Sequence, residues 1–165
     1  MDGPVEFEAF VAARSPALLR TAYLLTGDWA SGEDLLQATL EQCWRRWSRL
    51  SGNPEAYVRQ AMLRTFLSWR RRRWTGEVPT QELPEVGVDD ATEAVDDRDR
   101  VWQALLRLPR RQRAVVVLRY FDDLSESETA HALGISVGTV KSQASKALAS
   151  LRVDETLADR VDEVI

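Results

Sequence analysis

The chain has 165 residues, 44% of them apolar, a net charge of −4, one cysteine and one histidine. That suits one ordinary domain or two small ones. An acidic start without a basic-then-apolar leader, and no apolar run of about 18 residues, argue against export or membrane insertion. Lone Cys43 and lone His131 exclude an internal disulfide and a zinc cluster and leave no nucleophile–base pair, so a cytoplasmic protein without cofactor or metal is expected.

The net charge conceals its distribution. Residues 41–73 hold nine Arg against two Glu, and residues 100–152 hold nine basic against four acidic side chains. Between them, residues 74–99 hold nine acids and one Arg. Two basic blocks flanking an acidic one can steer a polyanion although the whole chain is acidic.

In chain order, the first helix is predicted over about 4–26, with Pro4 near its start, Gly27 as its stop and a kink or break at Pro16. The second is predicted from Ser31, whose "SGED" has the form of a capping box, through "LLQATLEQCWRRWSRL" to Gly52. Leu35, Leu36, Thr39, Leu40 and Cys43 form its inner face; Asp34, Gln37, Ala38 and Glu41 point outward, by default to solvent. Cys43 reads as a small, partly buried residue rather than a nucleophile.

The third helix begins at Pro54. Val58, Met62, Phe66 and Trp69 form its buried stripe, and Gln60, Arg64, Ser68 and Arg71 its cationic side. Trp44 and Trp47 stand among Arg45, Arg46 and Arg49 just before the loop "SRLSGNP" (48–54). Aromatics interleaved with arginine suit unstacked bases, with rings for stacking and guanidinium groups for phosphates. Equally, these rings can fill the core.

Residues 75–98, with two Pro, two Gly and many acids, read as an acidic flexible linker. A second helical block occupies 99–152. "DRVWQALLRL" ends at Pro109, and the β-branched "AVVVL" (114–118) sits in a segment that also reads at helical spacing. Ser125 and Glu128 form another capping-box pattern, Gly134 makes a turn, and "SVGTVKSQASKALASLR" is the last long helix. The acidic tail 153–165 extends that helix or frays. The fold class is therefore all-α: two small helical domains, 1–74 and 99–152, joined by the linker.

"LSESETAHALGISVGTVKSQASKAL" places a capped short helix, a Gly turn and a second helix in helix-turn-helix order. On the second helix Thr139, Ser142, Gln143 and Lys146 form a narrow strip, flanked by Lys141 and Ser145. Such a strip fits the major groove, with short side chains for close approach and lysines for phosphates or guanine edges. An ordinary helical hairpin with a polar outer face is the plain alternative.

In this order, "GEDLLQATLEQCWRRW", an Arg-rich helix, an acidic linker and "LPRRQRAVVVLRYFDDLSESETAHALGISVGTVKSQASKALASLR" resemble the extracytoplasmic-function sigma factors, the short actinobacterial type in particular. The resemblance covers nearly all of 5–152. It implies sigma regions 2 and 4, and core RNA polymerase and promoter DNA as partners, the −35 element as duplex and the −10 element melted. An anti-sigma factor is a further candidate partner. Asp34, Leu35 and Gln37 match the family's core-binding motif, with Glu41 one turn further on. "SRLSGNP" matches the loop that captures a flipped −10 base; Asn53, Tyr57, Gln60 and Arg64 lie on it or on the following helix. Arg71, Trp44, Arg45 and Trp47 complete the expected −10 set.

Lys141, Ser142, Ser145 and Lys146 match the −35-reading face, to which Thr139 and Gln143 belong by position. The resemblance gives Arg113 and Arg119 phosphates or the polymerase flap. Arg64 stands where many relatives carry Asn, and Gln143 and Lys146 where many carry Arg. The acidic linker, with Asp89, Asp90, Asp96 and Asp97, is expected to mimic a nucleic-acid strand in the polymerase channel. A stand-alone helix-turn-helix regulator is the alternative, but it leaves the first half without a role. A nucleic-acid-processing enzyme lacks metal-binding carboxylates in the basic blocks.

Overall fold

In the computed structural model, residues 3–73 and 93–152 are described, with side chains from 6–69 and 100–152. Every regular element among them is helical, the class the sequence predicts. Residues 74–92, which include most of the predicted linker, and the tail 153–165 lie outside the described residues, and so does the side chain of Arg71.

Helix α1 spans Gly3–Thr26. Pro16 neither ends nor splits it. The missing N–H and ring clash of a mid-helix proline cost about 3 kcal/mol, and burial of Leu18, Ala22 and Leu25 offsets that. Gly27 adopts φ +95°, and its N–H closes on the Tyr23 carbonyl at 2.8 Å.

Helix α2, Trp29–Trp44, starts two residues before the predicted cap. Asp28 is the N-cap, its carboxylate accepting from the Ser31 N–H at 2.7 Å. Both residues are good caps by chemistry. The turn made by Gly27 leaves Asp28 extended, so the helix starts at once and Ser31 becomes its third residue. Nor does α2 reach Gly52. It stops at Trp44, and a 3-10 turn at Trp47–Arg49 swings the Trp47 ring inward, to within 5.0 Å of both Phe7 and Phe10. Helix α3, Pro54–Arg73, starts where predicted.

Helix α4, Glu93–Arg107, begins six residues inside the predicted linker. Helix α5, Arg110–Val116, passes into a π-type turn at Val117–Phe121, where the Asp122 N–H reaches back five residues to the Val117 carbonyl at 3.0 Å. Ala114 to Leu118 are fully buried. The strand-like run is thus a helix buried on all sides, where β-branched side chains are tolerated because packing overrides propensity. Helix α6, Glu126–Leu133, has both bonds of the Ser125–Glu128 capping box, at 3.0 and 2.8 Å. Gly134 follows at φ +65°, and α7 spans Val137–Arg152.

One apolar core runs through both sets of helices. Leu25, Leu35, Met62 and Phe66 come from the first set; Leu105, Leu108, Leu118 and Leu151 come from the second. Polar contacts cross the same seam. The Thr21 hydroxyl lies 3.0 Å from both Asp122 carboxylate oxygens, and Tyr23 stacks on Trp29 and, across the seam, on Trp102.

Candidate nucleic-acid interface

The helix-turn-helix is built from local signals. Ser136 caps α7 by accepting from the Thr139 N–H at 3.1 Å, and Gly134 lets the Ile135 N–H reach the Ala130 carbonyl. Val115, Ala130 and Val140 pack beneath the turn, so α7 is held against α5 and α6. The opposite side faces solvent. Lys141, Ser142, Ser145 and Lys146 are exposed; Thr139 and Gln143 are half-buried at its edge. Lys141 lies 3.7 Å from the exposed Glu126 carboxylate, a pair that solvent screening leaves weak. Val137 is exposed at the helix start.

Arg113 is not part of this surface. Its guanidinium points inward and donates to the carbonyls of Leu25, Leu105, Leu106 and Leu108 at 2.6–3.2 Å. Burial, with Arg110 nearby as a second cause, lowers its pKa to about 10. Three of these carbonyls, Leu105, Leu106 and Leu108, lie in the last turn of α4 or just past it, where the backbone runs out of helical partners. Arg113 is a structural clasp that spends four of its five N–H donors on these carbonyls. Arg119 also turns inward, donating to the Leu124 carbonyl and lying over the Tyr120 ring.

On α2, Asp34, Gln37 and Glu41 are exposed as predicted, while Leu35 is fully buried. Leu35 can only hold its neighbours in place. Beside Gln37 and Glu41 runs a groove of about 410 Å³ floored by Phe7, Leu19, Leu36, Leu40 and Trp44. Trp44 is 45% exposed and belongs here, its ring 5.1 Å from Phe7, rather than among bases. Trp47, 8% exposed, is a core residue and is unavailable for stacking. The sequence hides the groove because Leu36 and Leu40 look like inner-face residues. Their four-residue spacing with Trp44 is the signal that could reveal it.

A second, polar cavity of about 270 Å³ opens between α2 and α3. It gathers Arg45, Tyr57, Gln60 and Arg64, four of the predicted −10 residues, together with Arg46 and with Gln42, which the sequence does not single out. Gln42 is oriented by the Thr65 hydroxyl at 3.4 Å. Asn53 stands apart from the cavity and caps α3, accepting from the Glu55 N–H at 3.0 Å. With guanidinium groups, two amides and a phenol ring, the cavity can hold a base edge and an adjacent phosphate. Cys43 takes no part: it is fully buried, and burial pushes its thiol up to about 11. Among the described residues no three His, Cys, Asp or Glu side chains converge as a metal site, and no helix is long and apolar enough to cross a membrane.

Residues 10–75 match the family described as Sigma-70 region 2, and residues 98–151 the one described as Sigma-70, region 4. An RNA polymerase sigma-E factor of Streptomyces coelicolor is 44% identical over 160 residues, covering 96% of this chain and 90% of the relative. The ECF RNA polymerase sigma factor SigL of Mycobacterium tuberculosis is 32% identical, over 82% of this chain and 81% of its own. Among solved structures, the sigma factor RpoE of Bartonella quintana, in complex with the anti-sigma factor NepR, has a TM-score of 0.71 at 25% identity. That likeness covers 90% of this chain and 98% of the other.

Proposed function

The chain belongs to the extracytoplasmic-function sigma factors of the sigma-70 family, and from that premise we propose how its surfaces divide the work of an RNA polymerase sigma factor. Asp34, Gln37 and Glu41, with the apolar groove beside them, bind core RNA polymerase. The cavity holding Arg45, Tyr57, Gln60 and Arg64 captures an extruded base of the −10 element. The strip Thr139, Lys141, Ser142, Gln143, Ser145 and Lys146 reads the −35 duplex. Residues 1–74 and 99–152 are the two working parts, with 75–98 as connector. The chain supplies recognition and strand opening, the polymerase supplies catalysis, and the site of action is where the polymerase works, in the cytoplasm. By analogy with the relative solved with an anti-sigma factor, a protein of that kind is a further partner.

The cavity between α2 and α3 carries this reading. A stand-alone helix-turn-helix regulator has no use for it, whereas opening a promoter requires a place to put an unstacked base. Opening gives up stacking worth about 1.4 kcal/mol per step, which capture of the base and strand must offset. The test is to mix the purified chain with core polymerase. A stable complex and promoter-dependent transcripts are expected; no complex sinks the assignment.

A further inference from the structure

On the assignment of the cavity between α2 and α3 to an extruded −10 base, we propose that Gln42 sets which base is accepted, selecting adenine or cytosine, and that Thr65 is its positioning residue. Neither belongs to the −10 set that the sequence supplies. Gln42 lies on α2 and lines the cavity. Thr65 lies on α3 and is buried, 6% exposed. The Thr65 hydroxyl donates its single hydrogen to the Ala61 carbonyl at 2.9 Å. Towards Gln42, 3.4 Å away, it can therefore only accept. That fixes which way round the amide sits. Nε2 faces Thr65, and Oε1 with the second N–H is left for a ligand.

An amide that can turn over is a poor discriminator. On the Watson–Crick edge, adenine and cytosine set an exocyclic amine beside a bare ring nitrogen. Guanine and thymine set a carbonyl beside a ring N–H, the same pattern with donor and acceptor exchanged. A free glutamine serves either pattern by rotating; an anchored one serves only one. The rest of the lining decides which. Arg45, Arg46 and Arg64 can only donate, so base carbonyls and phosphates are already provided for. An exocyclic amine needs an acceptor, and the Gln42 Oε1 supplies it. Gln60 is the other amide in the lining, and it is tied elsewhere, to the His131 carbonyl of α6 at 3.3 Å.

The test offers core polymerase loaded with the full chain a set of duplexes randomised across the −35 and −10 elements, and sequences the templates that are transcribed. One −10 position should favour adenine or cytosine over guanine or thymine about tenfold. Gln42→Leu should abolish that preference at that position alone. Thr65→Val should reduce it about threefold, as loss of one hydrogen bond does, and Thr65→Ser should keep it. Thr65→Val added to Gln42→Leu should change nothing further. A merely structural role for Thr65 would lower transcription from all templates alike and leave the ratio of bases in place. A base profile unaltered by Gln42→Leu overturns the proposal, and so does a Gln42-dependent preference for guanine or thymine. A Thr65→Val profile equal to the parent's removes Thr65 from its role. If no complex with core forms, the sigma assignment itself has failed; a complex with an unaltered profile overturns the role of Gln42 alone.

Discussion

The two helices proposed as readers, α3 and α7, are built on opposite plans. Helix α7 displays short side chains and two lysines on a strip left in solvent, over a small core of Val115, Ala130 and Val140. Helix α3 contributes long side chains to the wall of a cavity, and Gln60 is already hydrogen-bonded to the other half of the chain. Duplex DNA offers a groove that a bare helix can enter. An unstacked base needs a cavity with depth, and depth requires packed neighbours. Open exposure suits the first task, enclosure the second.

The contrast is sharpest in the aromatic residues of the enclosed half. Trp47→Ala should cost about 3–5 kcal/mol, as removal of a buried aromatic does, measured by urea unfolding. Trp44→Ala should leave stability nearly unchanged and weaken binding to core polymerase. Equal losses of stability would erase the distinction between them. In the other half, Arg113→Met removes a donor from four carbonyls and should destabilise by about 3 kcal/mol, while duplex affinity per folded molecule stays at the parent value. If duplex binding fell instead, the clasp would be a DNA contact.

Lys141→Ala with Lys146→Ala should do the reverse. The melting temperature holds, duplex binding weakens, and the log–log salt slope falls by about two. Gly134→Ala should cost about 1 kcal/mol purely through its left-handed backbone, since a Cβ there meets nothing within 4 Å. An unchanged melting temperature would show that the turn is less constrained than drawn.

Acidity separates the seam from the helix start by sign. The Ser125 backbone N–H holds the Glu128 carboxyl below its ordinary value, so its stabilisation is present at neutral pH and lost as pH falls through the carboxylate range. Burial raises the Asp122 carboxyl, against the opposing pull of Thr21 and Arg59. Its contribution is therefore full at low pH and lost as pH rises through that raised value. Glu128→Gln should flatten the acid-side loss, and Asp122→Asn the loss on the alkaline side of its titration, both followed by thermal unfolding. Slopes of the same sign would refute the assignment.

Local chemistry is legible in the sequence and long-range burial is not. Ser125 with Glu128, Gly134 and Pro54 each fix a turn within a few residues, so their neighbours in the chain suffice. Asp28 and Ser31 are both competent caps, and only the turn at Gly27 decides between them. Leu35, Trp47 and Arg113 are residue types that fit partner chemistry, yet all three face inward for reasons set by distant segments. The Trp47 ring meets Phe7 and Phe10, and Arg113 meets Leu25. The cavity is half legible, through Tyr57, Gln60 and Arg64 on one helix. Gln42 and Arg46 join it from a helix end whose exit no local pattern announces. The seam has no sequence signature, since nothing in an amphipathic pattern says which two faces meet.

The bond from Arg113 to the Leu25 carbonyl joins residues 88 positions apart in the chain. Ribosomes add about 5–20 residues per second. For roughly 4–18 s of each synthesis, the end of α1 has been made and its clasp does not yet exist. The nascent N-terminal half passes through that interval with its α3 face uncovered. The contact that ties the end of α1 to α5 therefore forms only while the last third of the chain is being made.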